Sequence, residues 1–179
     1  GLTLAEHCLR LPGSGDGPAA LIVPPLFDEA NRMRRTLVLT MRALSRLGMP
    51  SLLPDLPGQN DSPIATEDVT LSDWRSALAA IASAEGRPLM VASWRGGTLI
   101  DDAVACAAGW WRMAPVQGAS IVKGMIRTRI ASDKEAGRAS SAEAIRAGAA
   151  LGPVELAGNL LSAAMLDALE CAAPAAVEP

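Results

Sequence analysis

Three short apolar runs most constrain what this chain can become. Residues 19–23 (Ala-Ala-Leu-Ile-Val), 50–54 (Pro-Ser-Leu-Leu-Pro) and 89–92 (Leu-Met-Val-Ala) are continuous rather than alternating, and each is flanked by Pro, Gly or other turn formers. Continuous apolar runs of this length are the mark of strands buried on both faces. Between them lie stretches with helical periodicity. In residues 28–47, Met33, Leu37, Met41, Leu44 and Leu47 recur at helical spacing with arginines between them, and Asp28 and Glu29 stand at the positive end. Residues 71–84 read as a second helix, with Ser72 as a candidate N-cap. Strands alternating with helices predict βαβ units and a mostly parallel sheet, so the fold class is α/β with three layers, αβα.

The remaining elements obey the same logic. Residues 3–11 read as an early strand, 98–108 as a helix and 110–115 as a further strand. Residues 121–150 read as helix throughout, with Gly124, Gly137 and Gly148 as weak points. Residues 154–157 read as a short strand and 161–171 as a last helix. The expected organisation is a core over residues 1–117, a helical cap or insertion over 118–171 and a flexible tail over 172–179, all within a single domain. No internal repeat is seen.

Composition then excludes several functions. The 179 residues carry 16 basic and 19 acidic side chains, a formal net charge of −3, and only 3% aromatics with no Tyr. A nucleic-acid binder is expected to be basic and to carry stacking aromatics, so nucleic acid is not an expected partner. No apolar run approaches the ~18 residues of a membrane-spanning helix, so no membrane insertion is expected. The N-terminus has no basic-then-apolar pattern, and a cytoplasmic location is expected. Cys8, Cys106 and Cys171 are odd in number and far apart, which predicts free thiols in apolar surroundings and no metal site. No cofactor is implied. The most restrictive count is one histidine, His7, which reads as a strand residue.

Chemistry is concentrated in three places. The first is residues 91–97, where an apolar strand runs into Ser93-Trp94-Arg95-Gly96-Gly97. A strand turning sharply into a helix, with small residues two before and two after the turn residue, is the geometry of a nucleophile elbow. Arg95 holds the central position, and a guanidinium cannot be an acyl-transfer nucleophile. Arg95 reads either as an anion site at the positive end of the following helix or as a structural ion pair with an acid such as Asp28 or Glu29. Ser93 is the weaker candidate nucleophile, since it lacks small neighbours at Val91 and Arg95. The second place is residues 55–62, D-x-x-G-x-N-x-S, a tight loop in which Gly58 and Asn60 tolerate positive φ. The third is the segment after the first apolar run, where Pro24 and Pro25 remove two donors and leave Leu26 and Phe27 as candidate oxyanion amides. Ligand-binding candidates are therefore Arg95, Trp94, Leu26, Phe27 and Gly96.

These parts resemble the α/β-hydrolase fold. Within it, P-P-L-F-D-E-A-N-R-M-R-R at 24–35, D-L-P-G-Q-N-D-S at 55–62, S-W-R-G-G at 93–97, A-P-V-Q-G at 114–118 and V-E-L-A-G-N-L-L-S at 154–162 are similar to the exosortase A system-associated hydrolases, second type. The resemblance spans residues 7–170. It implies a link to exopolysaccharide biosynthesis and protein-sorting loci in bacteria, and relatives with an Arg at the elbow centre. It also implies an acid and a histidine after the nucleophile in chain order, and nothing after Arg95 is histidine. The set of late strands is expected to be incomplete for this fold. Three readings result: a catalytically degenerate hydrolase-fold protein holding an anionic small molecule at Arg95, an esterase or thioesterase using Ser93, and a homodimerising interaction module built on an open sheet edge.

Overall fold

The computed structural model describes residues 6–105 and 107–177. A five-stranded sheet is built from β1 (Cys8–Leu11), β2 (Ala19–Val23), β3 (Ser51–Pro54), β4 (Leu89–Trp94) and β5 (Ala107–Met113), in the order β1-β3-β2-β4-β5. β1 is antiparallel to β3 and every other pairing is parallel. The part of the first expected strand that precedes residue 6 lies outside the described residues. β2 and β3 are buried at every position, as continuous apolar runs demand.

Two helical layers cover the sheet. α1 (Asp28–Arg46) lies on one face, where Leu37 and Met41 meet Ala20, Ile22, Leu53 and Trp94. On the other face α2 (Leu71–Ala84), α3 (Gly118–Glu135) and α5 (Ala163–Cys171) join Leu21, Val23, Leu89 and Val91 in a larger core. Trp74 and Leu78 of α2 are wholly buried in it. Each such side chain contributes roughly 1.5–3 kcal/mol through the apolar area it removes from water. The fold is the three-layer α/β arrangement expected. No helix among the described residues is long and apolar enough to cross a membrane.

Several expectations need correction. The N-cap of α2 is Thr70 rather than Ser72. Its hydroxyl accepts the Asp73 amide at 3.3 Å while the Asp73 carboxylate accepts the Thr70 amide at 2.8 Å, a reciprocal capping box that fixes where the helix begins. The stretch 121–150 is two helices, α3 and α4 (Ala142–Ala149), because Gly137 adopts φ 72° and stops the first. Asp133, buried in the last turn of α3, ties the break: Arg138 and Arg129 hydrogen-bond its carboxylate and hold its pKa at about 2. Residues 154–161 form a hairpin of β6 (Val154–Leu156) and β7 (Asn159–Leu161), turning at Ala157 and Gly158 with φ 51° and 80°. α5 starts after this hairpin, where the Ser162 hydroxyl accepts the Met165 amide.

The described part of the tail is not free. The Gly118 amide donates to the Ala172 carbonyl at 2.9 Å and Arg112 donates to the Ala175 carbonyl at 2.6 Å, so backbone groups beyond α5 have partners in the core. Of the cysteines, Cys171 is exposed rather than in apolar surroundings, Cys8 is half-buried, and Cys106 lies outside the described residues. Burial pushes the Cys8 thiol up, away from the thiolate that nucleophilic chemistry needs.

Candidate functional site

The turn after β4 has the strained conformation its sequence predicts. Arg95 sits at φ 47°, in the left-handed region that few side chains adopt. Close approach explains its small neighbours. A Cβ on Gly97 would lie 2.5 Å from the Pro24 carbonyl oxygen and 2.9 Å from that of Val23, both backbone atoms. A Cβ on Gly96 would meet Ile121 at 2.8 Å and Leu26 at 3.0 Å.

The segment beyond the turn differs from expectation. No α-helix spans 98–108; the chain makes two 3-10 turns, Arg95–Leu99 and Asp101–Ala103, and enters β5 at Ala107. The reason is reach. β5 runs parallel to β4, so residues 95–106 must return the chain over a strand length of about 20 Å. An α-helix rises only ~1.5 Å per residue and would leave no residues for its connections. The anion site attributed to a helix dipole at Arg95 therefore loses that support.

The guanidinium has another environment. Arg95 Nε donates to both oxygens of Glu29, at 3.0 and 2.9 Å, so the ion-pair reading is realised with the acid in the first turn of α1. Its two Nη groups make no hydrogen bond among the described residues, and the side chain keeps 43% of its exposure. Arg95 and Glu29 line a cavity of about 220 Å³ whose other walls include Leu26, Phe27, Ile121 and Met125. A second ion pair, Arg32 with Asp28 at 2.8 Å, stands at its rim.

Leu26 and Phe27 are buried and line this cavity, where oxyanion amides were expected. Phe27 carries the entry into α1 with φ 59° and ψ −139°, and its ring is 5.3 Å from that of Trp74. A strained residue so held is a constraint imposed by its surroundings. Gly96 lies beneath Leu26 and Ile121. Trp94 does not belong to the site. Strand alternation turns it to the α1 face, where it is buried with its ring 5.1 Å from that of Trp111.

Ser93 is also turned away from solvent. It is fully buried, and its hydroxyl donates to Asp101 Oδ2 at 2.6 Å. Asp101, itself fully buried, accepts Arg112 Nε at 2.7 Å and Nη2 at 2.5 Å. The hydroxyl is spent on a carboxylate that Arg112 already holds, and its burial keeps it from meeting a substrate. His7 is exposed before β1, and β3 and β2 separate β1 from β4. Sequence reasoning misses the Ser93–Asp101–Arg112 cluster, and with it the two-pronged Arg75–Asp102 pair at 2.8 and 2.6 Å. The signal for the first is present: Ser93 and Arg112 are register partners, so the period of two in β5 places Arg112 beside Ser93.

A mostly parallel sheet, with a left-handed turn residue after β4 and a buried loop after β2 beside it, defines the α/β-hydrolase fold. Solved structures agree. Est1E from Butyrivibrio proteoclasticus, determined with ferulic acid bound, aligns over 92% of this chain and 66% of its own with TM-score 0.63 at 16% identity. Mouse α/β-hydrolase domain-containing protein 10 aligns over 91% and 64% with TM-score 0.57 at 14% identity. A Paleococcus ferrophilus monoacylglycerol lipase aligns over 69% and 52% with TM-score 0.51 at 15% identity. The chain thus spans between about half and two thirds of the length of these structures. No family model matches the chain, and no curated protein does.

Proposed function

We propose that this is a catalytically degenerate α/β-hydrolase-fold protein that binds a small anionic molecule at Arg95. The observation that carries the reading is a guanidinium at the elbow centre, where a nucleophile would stand, opening onto a cavity with its Nη groups unspent. Glu29 grips Nε and fixes the plane of the fork. Two Nη donors held in that plane match the two oxygens of a carboxylate or phosphate. Leu26, Phe27, Ile121 and Met125 favour a ligand with an apolar part beside its charge. The resemblance in sequence supports a place in the bacterial exosortase and exopolysaccharide system.

Titration with short-chain carboxylates, phosphates and acidic sugars tests this. Arg95→Ala is expected to weaken the best of them at least about tenfold, as loss of a charge-assisted pair requires; unchanged binding of every compound would overturn the reading. A fluorophosphonate probe addresses the esterase alternative, for which Ser93 is the nucleophile: no labelling is expected, and labelling of Ser93 reinstates it.

One observation favours a second reading, a homodimerising module. β5 pairs only with β4 among the described residues, and Trp111 and Met113 on its α1-side face are exposed. A bare apolar edge is a template for pairing. Sedimentation velocity over a wide concentration range decides it, a concentration-independent monomer removing the dimer.

A further inference from the structure

A second cavity, of about 360 Å³, adjoins the Arg95 cavity and shares Phe27, Asp28 and Ala157 with it. It lies at the carboxyl end of β3, between the loop 55–62, the first turn of α1 and the β6–β7 turn. Crevices at the carboxyl ends of parallel strands are where open α/β sheets hold ligands. Its distinguishing chemistry is carboxamide: Asn31, Gln59, Asn60 and Asn159 all line it.

The hydrogen bonds decide which half of each amide faces a ligand. Gln59 Nε2 donates to the Gly58 carbonyl at 3.1 Å, Asn60 Nδ2 to Asp55 Oδ1 at 2.7 Å, and Asn159 Nδ2 to the Ala157 carbonyl at 3.0 Å. Asp55 is buried and paired with Arg34, so the Asn60 amide is anchored to a fixed charge. In each case the NH2 group is engaged, while no donor among the described residues reaches the amide oxygen. Asn31, exposed on α1, makes no side-chain hydrogen bond among them. The lining residues include no lysine or arginine, and the one carboxylate, Asp28, is already paired with Arg32. Such a wall offers acceptors and little net charge. Free amide oxygens, with one N–H left over on each engaged amide, suit a ligand that brings several O–H groups rather than a bare charge.

We propose that this cavity is a polyol subsite, and that the two cavities together take a hydroxyl-rich carboxylate of the sugar-acid class, carboxylate on Arg95 and hydroxyls on Asn31, Gln59, Asn60 and Asn159. Only the carboxylate end rests on the function proposed above; the hydroxyl end stands on the amide geometry. Together the cavities fall within the roughly 300–1,000 Å³ usual for small-molecule sites.

Nitrogen-15 NMR of the full chain separates the two parts, using acetate, methyl glucoside and glucuronate as probes. Acetate is expected to shift the Arg95 Nε–H resonance alone, methyl glucoside the Asn and Gln side-chain amides alone, and glucuronate both. Asn159→Ala and, independently, Asn31→Ala on the exposed helix surface are expected to weaken methyl glucoside and glucuronate at least about fivefold and leave acetate unchanged, each removing about one hydrogen bond. Arg95→Ala is expected to weaken acetate and glucuronate and leave methyl glucoside unchanged. If neither sugar shifts those amides, or if both amide variants bind the sugars as the parent does, the subsite is overturned. If acetate alone fails while methyl glucoside behaves as expected, the subsite stands and the anion reading of Arg95 falls.

Discussion

Arg112–Asp101 and Arg95–Glu29 join the same two functional groups on either side of the same turn, at 2.5 and 2.9 Å, and they differ in almost everything else. Asp101 has no exposed surface, and it satisfies Arg112 and the Ser93 hydroxyl at once; Arg112 spends a further donor on the Ala175 carbonyl. Arg95 and Glu29 stand at a cavity mouth with the Nη donors unspent. An ion pair whose acid is wholly out of water, with both carboxylate oxygens engaged, is a structural joint, since a missing partner strands a buried charge. One left half-open in a cavity contributes little to stability and keeps its binding capacity. Position relative to the sheet makes the difference: Ser93 and Arg112 point under the turn, and Arg95 is the turn.

Removing the buried acid tests the contrast most strongly. Asp101→Ala is expected to cost about 3–5 kcal/mol in urea unfolding, because Arg112 is left uncompensated and Ser93 loses its acceptor. The double variant Asp101→Leu with Arg112→Met is expected to recover much of that loss, since no charge is then buried alone. Equal destabilisation by single and double variants would mean that hydrogen-bond geometry, rather than charge balance, holds the turn.

The turn itself comes next. Gly97→Ala would place a Cβ 2.5 Å from a backbone oxygen of the loop after β2, which cannot yield as a flexible side chain would. Overpacking of this kind costs about 1–3 kcal/mol. Gly124→Ala in α3, where a Cβ meets nothing within 4 Å, serves as the control and is expected to gain up to about 1 kcal/mol of helix propensity. Chemical denaturation of both gives the comparison, and a neutral Gly97→Ala would refute close approach as the reason for glycine there.

A third arginine–carboxylate cluster lies between the extremes. Arg138 and Arg129 hold Asp133 at about 2, below its ordinary 3.8. A depressed carboxylate stabilises the fold above its unfolded pKa, and that contribution is lost as pH falls from 3.8 toward 2. The parent is therefore expected to lose stability over this window more steeply than Asp133→Asn, measured by thermal melts at stepped acid pH. Coincident acid limbs would show that the partly exposed arginines contribute nothing here.

Much of the frame is legible in the sequence because β2, β3 and β4 are runs that a chain can satisfy only in a sheet interior. The small residues around Arg95 announce the strained turn for the same steric reason that the structure shows. The stretch after it misleads because Ala103, Ala105, Ala107 and Ala108 are good helix material. What forbids the helix is the distance to a parallel neighbour, a fact about topology that no local window contains. Likewise Trp94 looks like a site residue by adjacency to Arg95, although alternation in β4 already assigns it to the opposite face. The carboxamide cavity draws on residues 31, 59–60 and 159, whose proximity depends on how α1, the β3 loop and the hairpin come together.

The smallest expected effect is the most discriminating. Arg95→Ser removes a half-exposed pair worth about 0–1 kcal/mol, and serine meets the same backbone demand at φ 47°, so the urea midpoint should barely move. A loss above about 2 kcal/mol would place Arg95 in the same structural class as Arg112. The variant also puts a hydroxyl at the elbow centre, beside Gly96 and the Leu26–Phe27 loop. Hydrolysis of p-nitrophenyl acetate is nevertheless expected to stay at the parent's level. A serine there needs a base to take its proton, and the one histidine is before β1, with two strands between β1 and β4. Turnover gained by that one change would mean that another group acts as the base, and that the degenerate reading fails on the missing nucleophile alone.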